Sequence, residues 1–323
     1  MDLMKFVFTM SCLLWCLLLQ TTPAANGGRP CLFADGQVVT APCTGELCCK
    51  GAPGLENATV LYEQDFSANA DGWIRVGTGG DMVQTNGFTP GFEGSPGVGQ
   101  VDMPGTCPAP GNTGNQAAEC KGPFTRFGQV SGSPYWRNLT QGAPNGFVTQ
   151  LAMYLDTSAT NQLTNDMRID YSVALNDNSL PNPGFVQDFV FNMGFYDDAS
   201  TNPGASSRRF IISGSNNANR PGADPANQAR SPVAVTAPGW YIFQHKFYPE
   251  GNNLYANLTM FAEGNSCGAA PIGTWKLGPA GFPTALTLEQ LGFVRYGWLV
   301  NVEYPNAANL TVAGQVLATL GAP

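Results

Sequence analysis

One histidine stands in 323 residues, and that scarcity limits the chemistry open to the chain. A single imidazole allows at most one Ser-His-Asp site. Clusters of His and Cys fit for a catalytic metal are absent, as is the Gly-x-x-x-x-Gly-Lys loop that cradles phosphates. Lysine is scarce too, five residues against ten arginines, in a chain of formal charge −8. A nucleic-acid footprint needs clustered cations, and an anionic membrane surface repels net negative charge. Charged residues make up only 12%, and amphipathic stretches rich in Ala, Glu and Lys are missing, which argues against a helical fold. Beyond the run Phe6 to Leu19, no segment approaches the roughly 20 apolar residues of a membrane span.

What is present points outward from the cell. Lys5 precedes that apolar run and the small residues Ala24 and Ala25 follow it, the layout of a secretory signal peptide over 1–25. The expected product is secreted, extracellular or held in a wall or matrix. Four Asn-x-Thr sequons, at Asn57, Asn138, Asn257 and Asn309, are sugar-acceptor sites in a host with that machinery.

Nine cysteines fall to seven once Cys12 and Cys16 leave with the signal. In an oxidising compartment they read as disulfides. Cys31, Cys43, Cys48 and Cys49 lie in a segment, 26–56, too small for a hydrophobic core, so cross-links would have to hold it. The vicinal pair Cys48 and Cys49 is read as bonding outward to Cys31 and Cys43, with three connectivities open on paper. Cys107 and Cys120 bracket a Gly/Pro/Asn-rich loop and pair most simply with each other, which leaves Cys267 free, intermolecular or bonded to the N-terminal module.

The remaining residues, 57–323, read as one β domain. Gly 39 and Pro 25 are spread through the chain rather than gathered in a linker. Strand-like runs bounded by Asn, Gly, Pro and Asp cover 60–66, 146–156, 165–175, 185–196, 207–215, the hairpin within 239–261, 293–304 and 309–320. Residues 77–146 are mostly turn-formers with room for short strands only, and 284–292 give one short helix-like hint. Many strands without long helices imply an all-β fold of antiparallel sheets packed as a sandwich.

The stretches "LYEQDFSANADGW", "GWYIFQHKFY" and "RYGWLVNVEYPNAANLTV" resemble secreted concanavalin A-like lectin/glucanase domains, and more narrowly a group of exported bacterial proteins of unassigned function. The resemblance spans residues 57–316. It implies a jelly-roll sandwich whose concave face holds carbohydrate, and a structural calcium where the first and last strands meet. Asp65 would offer a ligand to that calcium, but Ala308 and Asn309 stand where a matching acid is expected. Retaining glucanases of this class carry Glu-x-Asp-x-Glu on one strand, two carboxylates set for double displacement. Here Asp166 and Asp170 come nearest, with Arg168 between them and no Glu, which disfavours ordinary retaining hydrolysis.

Alternation assigns faces. Tyr241, Phe243, His245 and Phe247 share one face of the hairpin; Ile242, Gln244, Lys246 and Tyr248 share the other. His245 reads plainly as a neutral core histidine among aromatics, or more sharply as a proton-transfer or ligand-contact residue at the base of the concave sheet. Asp166, Arg168 and Asp170 share a face, as do Asp188 and Asn192, Arg209 and Ser213, and Arg295, Asn301 and Glu303. Together they would show water a face of acids, arginines and amides able to bind a polyhydroxy ligand, or else an ordinary solvated face. Trp298 is the favoured aromatic platform, although its parity with Tyr296 and Val300 sets it off the Arg295 face unless a bulge intervenes at Gly297.

The reading these residues favour is an exported lectin-like protein binding glycan on one sheet, without transmembrane segment or nucleic-acid partner. A structural or adhesive matrix protein, with Cys267 linking chains, is the second reading. A lyase on acidic polysaccharide, using Arg168 or Asn192 as carboxylate neutraliser and His245 or a tyrosine as base or acid, is the third.

Overall fold

When bulky apolar side chains occupy one parity of several strands, a second sheet laid over them removes that face from water. The computed structural model describes residues 59–70, 72–74, 81–92, 97–102, 120–125, 145–158, 167–177, 184–198, 208–218, 231–251, 253–263, 271–278, 297–301 and 310–320. Among these every element is a strand: β1 (Thr59–Gln64), β2 (Trp73–Ile74), β3 (Asp81–Thr85), β4 (Val98–Asp102), β5 (Cys120–Thr125), β6 (Phe147–Leu155), β7 (Met167–Asp177), β8 (Gly184–Asp197), β9 (Arg208–Ala218), β10 (Val233–Val235), β11 (Gly239–Glu250), β12 (Asn253–Ala262), β13 (Gly273–Leu277), β14 (Gly297–Asn301) and β15 (Leu310–Thr319).

Two antiparallel sheets result. Sheet A runs β13-β12-β11-β6-β15-β4-β3, with β1 also paired to β15; sheet B runs β10-β9-β8-β7-β14-β5-β2. Their facing rows form one core. Across sheet A, register aligns Leu317, Thr149, His245, Leu258 and Trp275. Tyr171, Phe191 and Gly214 line up opposite them in sheet B. Rings cross the gap: Phe243 meets Phe191 and Phe247 meets Phe189, both at 5.1 Å between centroids. Each fully buried phenylalanine contributes about 2 kcal/mol by leaving water.

Trp275 comes so close to sheet B that only glycine fits beneath it. A Cβ on Gly214 would lie 2.7 Å from the Trp275 Cβ. Hydrogen bonds tie the sheets at one edge: Arg208 Nη1 donates to the Ser158 carbonyl at 2.6 Å, Thr157 Oγ1 to Thr236 O at 2.9 Å, and Trp275 Nε1 to Ser231 O at 3.1 Å. On the outer face of sheet A, Phe88 and Phe92 cap Trp240, whose Nε1 donates to Pro90 O.

The sandwich is the architecture that alternation predicts, and the long strands fall on the strand-like runs of the sequence. Strands β3, β4 and β5 are short, as turn-rich 77–146 implied. Strands β10 and β13 were not foreseen, since three to five residues between turns carry too little alternation to stand out. The helix-like hint at 284–292, the signal peptide, the cysteine-rich segment 26–56, and Cys107 and Cys267 lie outside the described residues; Cys120 is described only as the first backbone position of β5.

Candidate ligand-contact face

The hydrophobic parity of β7, β8 and β9 faces the core, so the other parity makes the outer face of sheet B. Pairing sets it out in rows. Asp170, Asn192 and Ser213 align with Val300 of β14; Ser172, Val190 and Ser215 align with Trp298; Arg168 aligns with Gly194 and Ile211; Tyr196 aligns with Arg209; and Asp188 aligns with Ala174 and Asn217. Five residues singled out in the sequence, Arg168, Asp170, Asp188, Asn192 and Arg209, therefore hold positions on one face. Ser172, Asp188 and Val190 are buried there, whereas Asp170, Asn192, Ser213, Ser215, Tyr196 and Arg209 are part-exposed.

Local contacts organise the exposed half. Asn192 Nδ2 donates to Ser215 Oγ at 2.6 Å, which fixes the amide on a diagonal across two strands. Gly194 leaves room for the Tyr196 ring to lie back over the sheet, since a Cβ at that position would sit 3.0 Å from it. The Arg209 guanidinium lies 5.9 Å from the same ring. It donates to Asp198 through Nη1 at 2.5 Å and Nη2 at 3.3 Å, and this fork pushes the guanidinium pKa up. Amide, hydroxyl, carboxylate and ring thus lie across four successive rows on one face, with the Tyr196 ring leaning over the Gly194 row between them.

Trp298 and Val300 keep one parity, as alternation gave, and hold positions in register with Ser172 and Asp170. The register shift in β14 falls against β5, between Trp298 and Val300, and not at Gly297. Asn301 pairs with Ile169, whose side chain is in the core, so Asn301 does not share the Asp170 face as expected. Asp166, Arg295 and Glu303 lie outside the described residues. Ser215 and Tyr196 were missed, although Tyr196 has the parity of Asp188 and Asn192 and could have been found by extending that run.

His245 requires a correction as a ligand contact or lyase base. It is fully buried, with Nε2 3.1 Å from the Phe189 carbonyl oxygen. Tyr171 and Phe191 pack edge-on at 5.1 and 4.8 Å, and Phe247 stacks at 6.3 Å. Burial lowers its pKa to about 3, partly opposed by the Phe189 hydrogen bond. The imidazole is neutral and belongs to the core. Nearby, burial pushes the Tyr171 hydroxyl up; the Thr149 hydroxyl is close enough to temper that rise, yet neither oxygen has a partner at hydrogen-bond geometry.

Asp65 is half-buried, and its Oδ1 accepts from Ser67 N at 2.9 Å in a local turn. Among the described residues no group of three or more His, Cys, Asp or Glu is placed to hold a metal ion. No helix among them is long and apolar enough to cross a membrane. Asn257 is a part-exposed residue of β12, while Asn57, Asn138 and Asn309 lie outside the described residues.

No family model matches this chain, and no curated protein matches it. Among solved structures it is similar to an endo-1,3-beta-glucanase from Streptomyces sioyaensis, at 9% identity over 82% of this chain and 97% of that one, with a TM-score of 0.28. A likeness that low leaves fold and site to rest on the chain's own geometry.

Proposed function

We propose that this chain is an exported, lectin-like carbohydrate-binding protein whose ligand lies across the outer face of sheet B. The observation that carries the reading is the part-exposed group of Asn192, Ser213, Ser215 and Asp170 beside the Tyr196 ring and the Arg209–Asp198 fork. A pyranose offers alternating hydroxyls to amides and carboxylates and an apolar C–H face to an aromatic ring. With a net charge of −8 and Arg209 already paired to Asp198, the chemistry suits a neutral polysaccharide better than a polyanion. A jelly-roll layout with this face concave, disulfides in 26–56 and between Cys107 and Cys120, and a calcium near Asp65 belong to the same proposal. A lyase loses its histidine base, because His245 is buried.

The test is a glycan array with the secreted, full-length protein, followed by calorimetric titration of the best neutral oligosaccharide. Saturable binding that weakens when Asn192 is replaced supports the reading. An array without hits, or binding indifferent to Asn192, overturns it.

A further inference from the structure

The opposite surface of the sandwich holds an arrangement that glycan binding on sheet B does not use. Strand β12 reads Tyr255-Ala256-Asn257-Leu258-Thr259. Ala256 and Leu258 are fully buried in the core, so Tyr255, Asn257 and Thr259 share the outer face of sheet A. Register places Asn257 between Lys246 and Lys276, and Tyr255 beside Tyr248. The two tyrosine rings stack at 6.3 Å with 27° between planes. The Tyr248 hydroxyl donates to Asn257 Oδ1 at 3.2 Å. The Lys276 ammonium sits 4.4 Å over the Tyr255 ring and pairs with Glu250, which pins that ring from the β13 side. Asn257 therefore has its carboxamide oxygen held, while its nitrogen makes no hydrogen bond among the described residues.

We propose that Asn257 carries an N-linked glycan whose first N-acetylglucosamine rests on the Tyr248–Tyr255 pair. The sugar comes from a lipid diphosphate-linked oligosaccharide. The carboxamide nitrogen bonds to sugar C1, the lipid diphosphate leaves with the electrons of the C1–O bond, and the nitrogen gives up one proton. A residue two positions before the asparagine on the same strand face lies alongside the attached sugar. The flat C–H face of the pyranose then covers the part of the Tyr248–Tyr255 surface that the Lys276 ammonium leaves to water. Thr259, which completes the acceptor sequence, is only 8% exposed once β12 is paired on both sides. A transferase must read its hydroxyl, so transfer precedes folding of this strand. The glycan lies on the face away from the sheet B site, and the inference stands or falls separately from the function proposed above.

The experiment expresses the full chain through a eukaryotic secretory pathway, maps Asn257 by glycopeptide mass, and trims the glycan to a single N-acetylglucosamine. Occupied Asn257 is expected, with Tyr255→Leu lowering the thermal midpoint on the order of 3 °C more in the sugar-bearing protein than in an Asn257→Gln background. Tyr255→Phe keeps the ring and should behave as wild type. An unmodified Asn257, or equal losses with and without the sugar, overturns the proposal. If the leucine variant is not secreted, ¹³C-labelled sugar on the wild-type protein decides: its ring protons should shift upfield relative to the denatured glycoprotein, and unshifted signals contradict the stacking.

Discussion

His245 of sheet A donates its Nε2 proton to the carbonyl oxygen of Phe189 in sheet B, across 3.1 Å of otherwise apolar core. A polar bond thus joins the two layers in the middle of their ring-filled core, in addition to the three at the edge. The bond sets the tautomer, leaving Nδ1 as a buried acceptor without a partner. It also gives the chain's one histidine a structural task.

That task makes stability depend on pH. The folded-state pKa is lowered to about 3, while the unfolded chain binds its proton near the ordinary value of 6.5. The stabilising contribution is therefore complete above pH 6.5 and is lost as pH falls towards 3. Between pH 7 and pH 5 the loss attributable to His245 is about 2 kcal/mol, with uptake of one proton on unfolding. Denaturant titrations at several pH values check this, and a His245→Phe variant should lose that part of the slope.

Gly214 is expected to tolerate no side chain. With the Trp275 Cβ 2.7 Å from any added methyl, Gly214→Ala should destabilise by about 1–3 kcal/mol. Of the other Trp275 atoms near that methyl, Cγ at 2.9 Å and Cδ2 at 3.2 Å leave on truncation to alanine, so Trp275→Ala, which keeps only the Cβ contact, should make the two losses less than additive. Thermal unfolding of the single and double variants measures the coupling, and additive losses would count against the contact.

Adjacent arginines should behave differently. Arg208 is mostly buried, lies 5.2 Å over the Phe195 ring, and donates to Ser158 of the opposite sheet. Arg208→Ala is expected to cost about 1–3 kcal/mol through lost packing and an orphaned carbonyl. Arg209 shares its charge with a more exposed Asp198, and Arg209→Ala should change stability by less than about 1 kcal/mol. Urea midpoints of the two variants, compared side by side, test the ordering.

Much of the fold was legible because its long strands keep strict parity. The β11–β12 hairpin shows this: Phe243, His245 and Phe247 pair with Met260, Leu258 and Ala256, all buried, as the alternating apolar sets require. Part of the candidate face was legible for the same reason, since Asp170 and Asn192 hold outward positions on strands whose other parity is aromatic or aliphatic. Register was not. Which residue of β7 stands beside Trp298 is set by pairing between strands far apart in sequence, and one residue of slip exchanges the two faces of a strand. Ser215 was missed for a related reason, because its link to Asn192 is diagonal and crosses between strands 23 residues apart in sequence. His245 could not be settled by parity alone, as a row facing the core and a row facing a cleft alternate alike.

The measurement that bears most directly on function is calorimetric titration of a neutral oligosaccharide into wild-type protein, Asn192→Ala, Tyr196→Ala and, as a control on the opposite sheet, Lys246→Ala. Loss of one amide hydrogen-bonding group or one stacking ring should weaken binding roughly 5- to 10-fold, with Lys246→Ala unchanged and all four proteins equally folded by circular dichroism. Equal affinity in wild type and both sheet B variants, or loss confined to Lys246→Ala, would contradict the assignment of the ligand to this face.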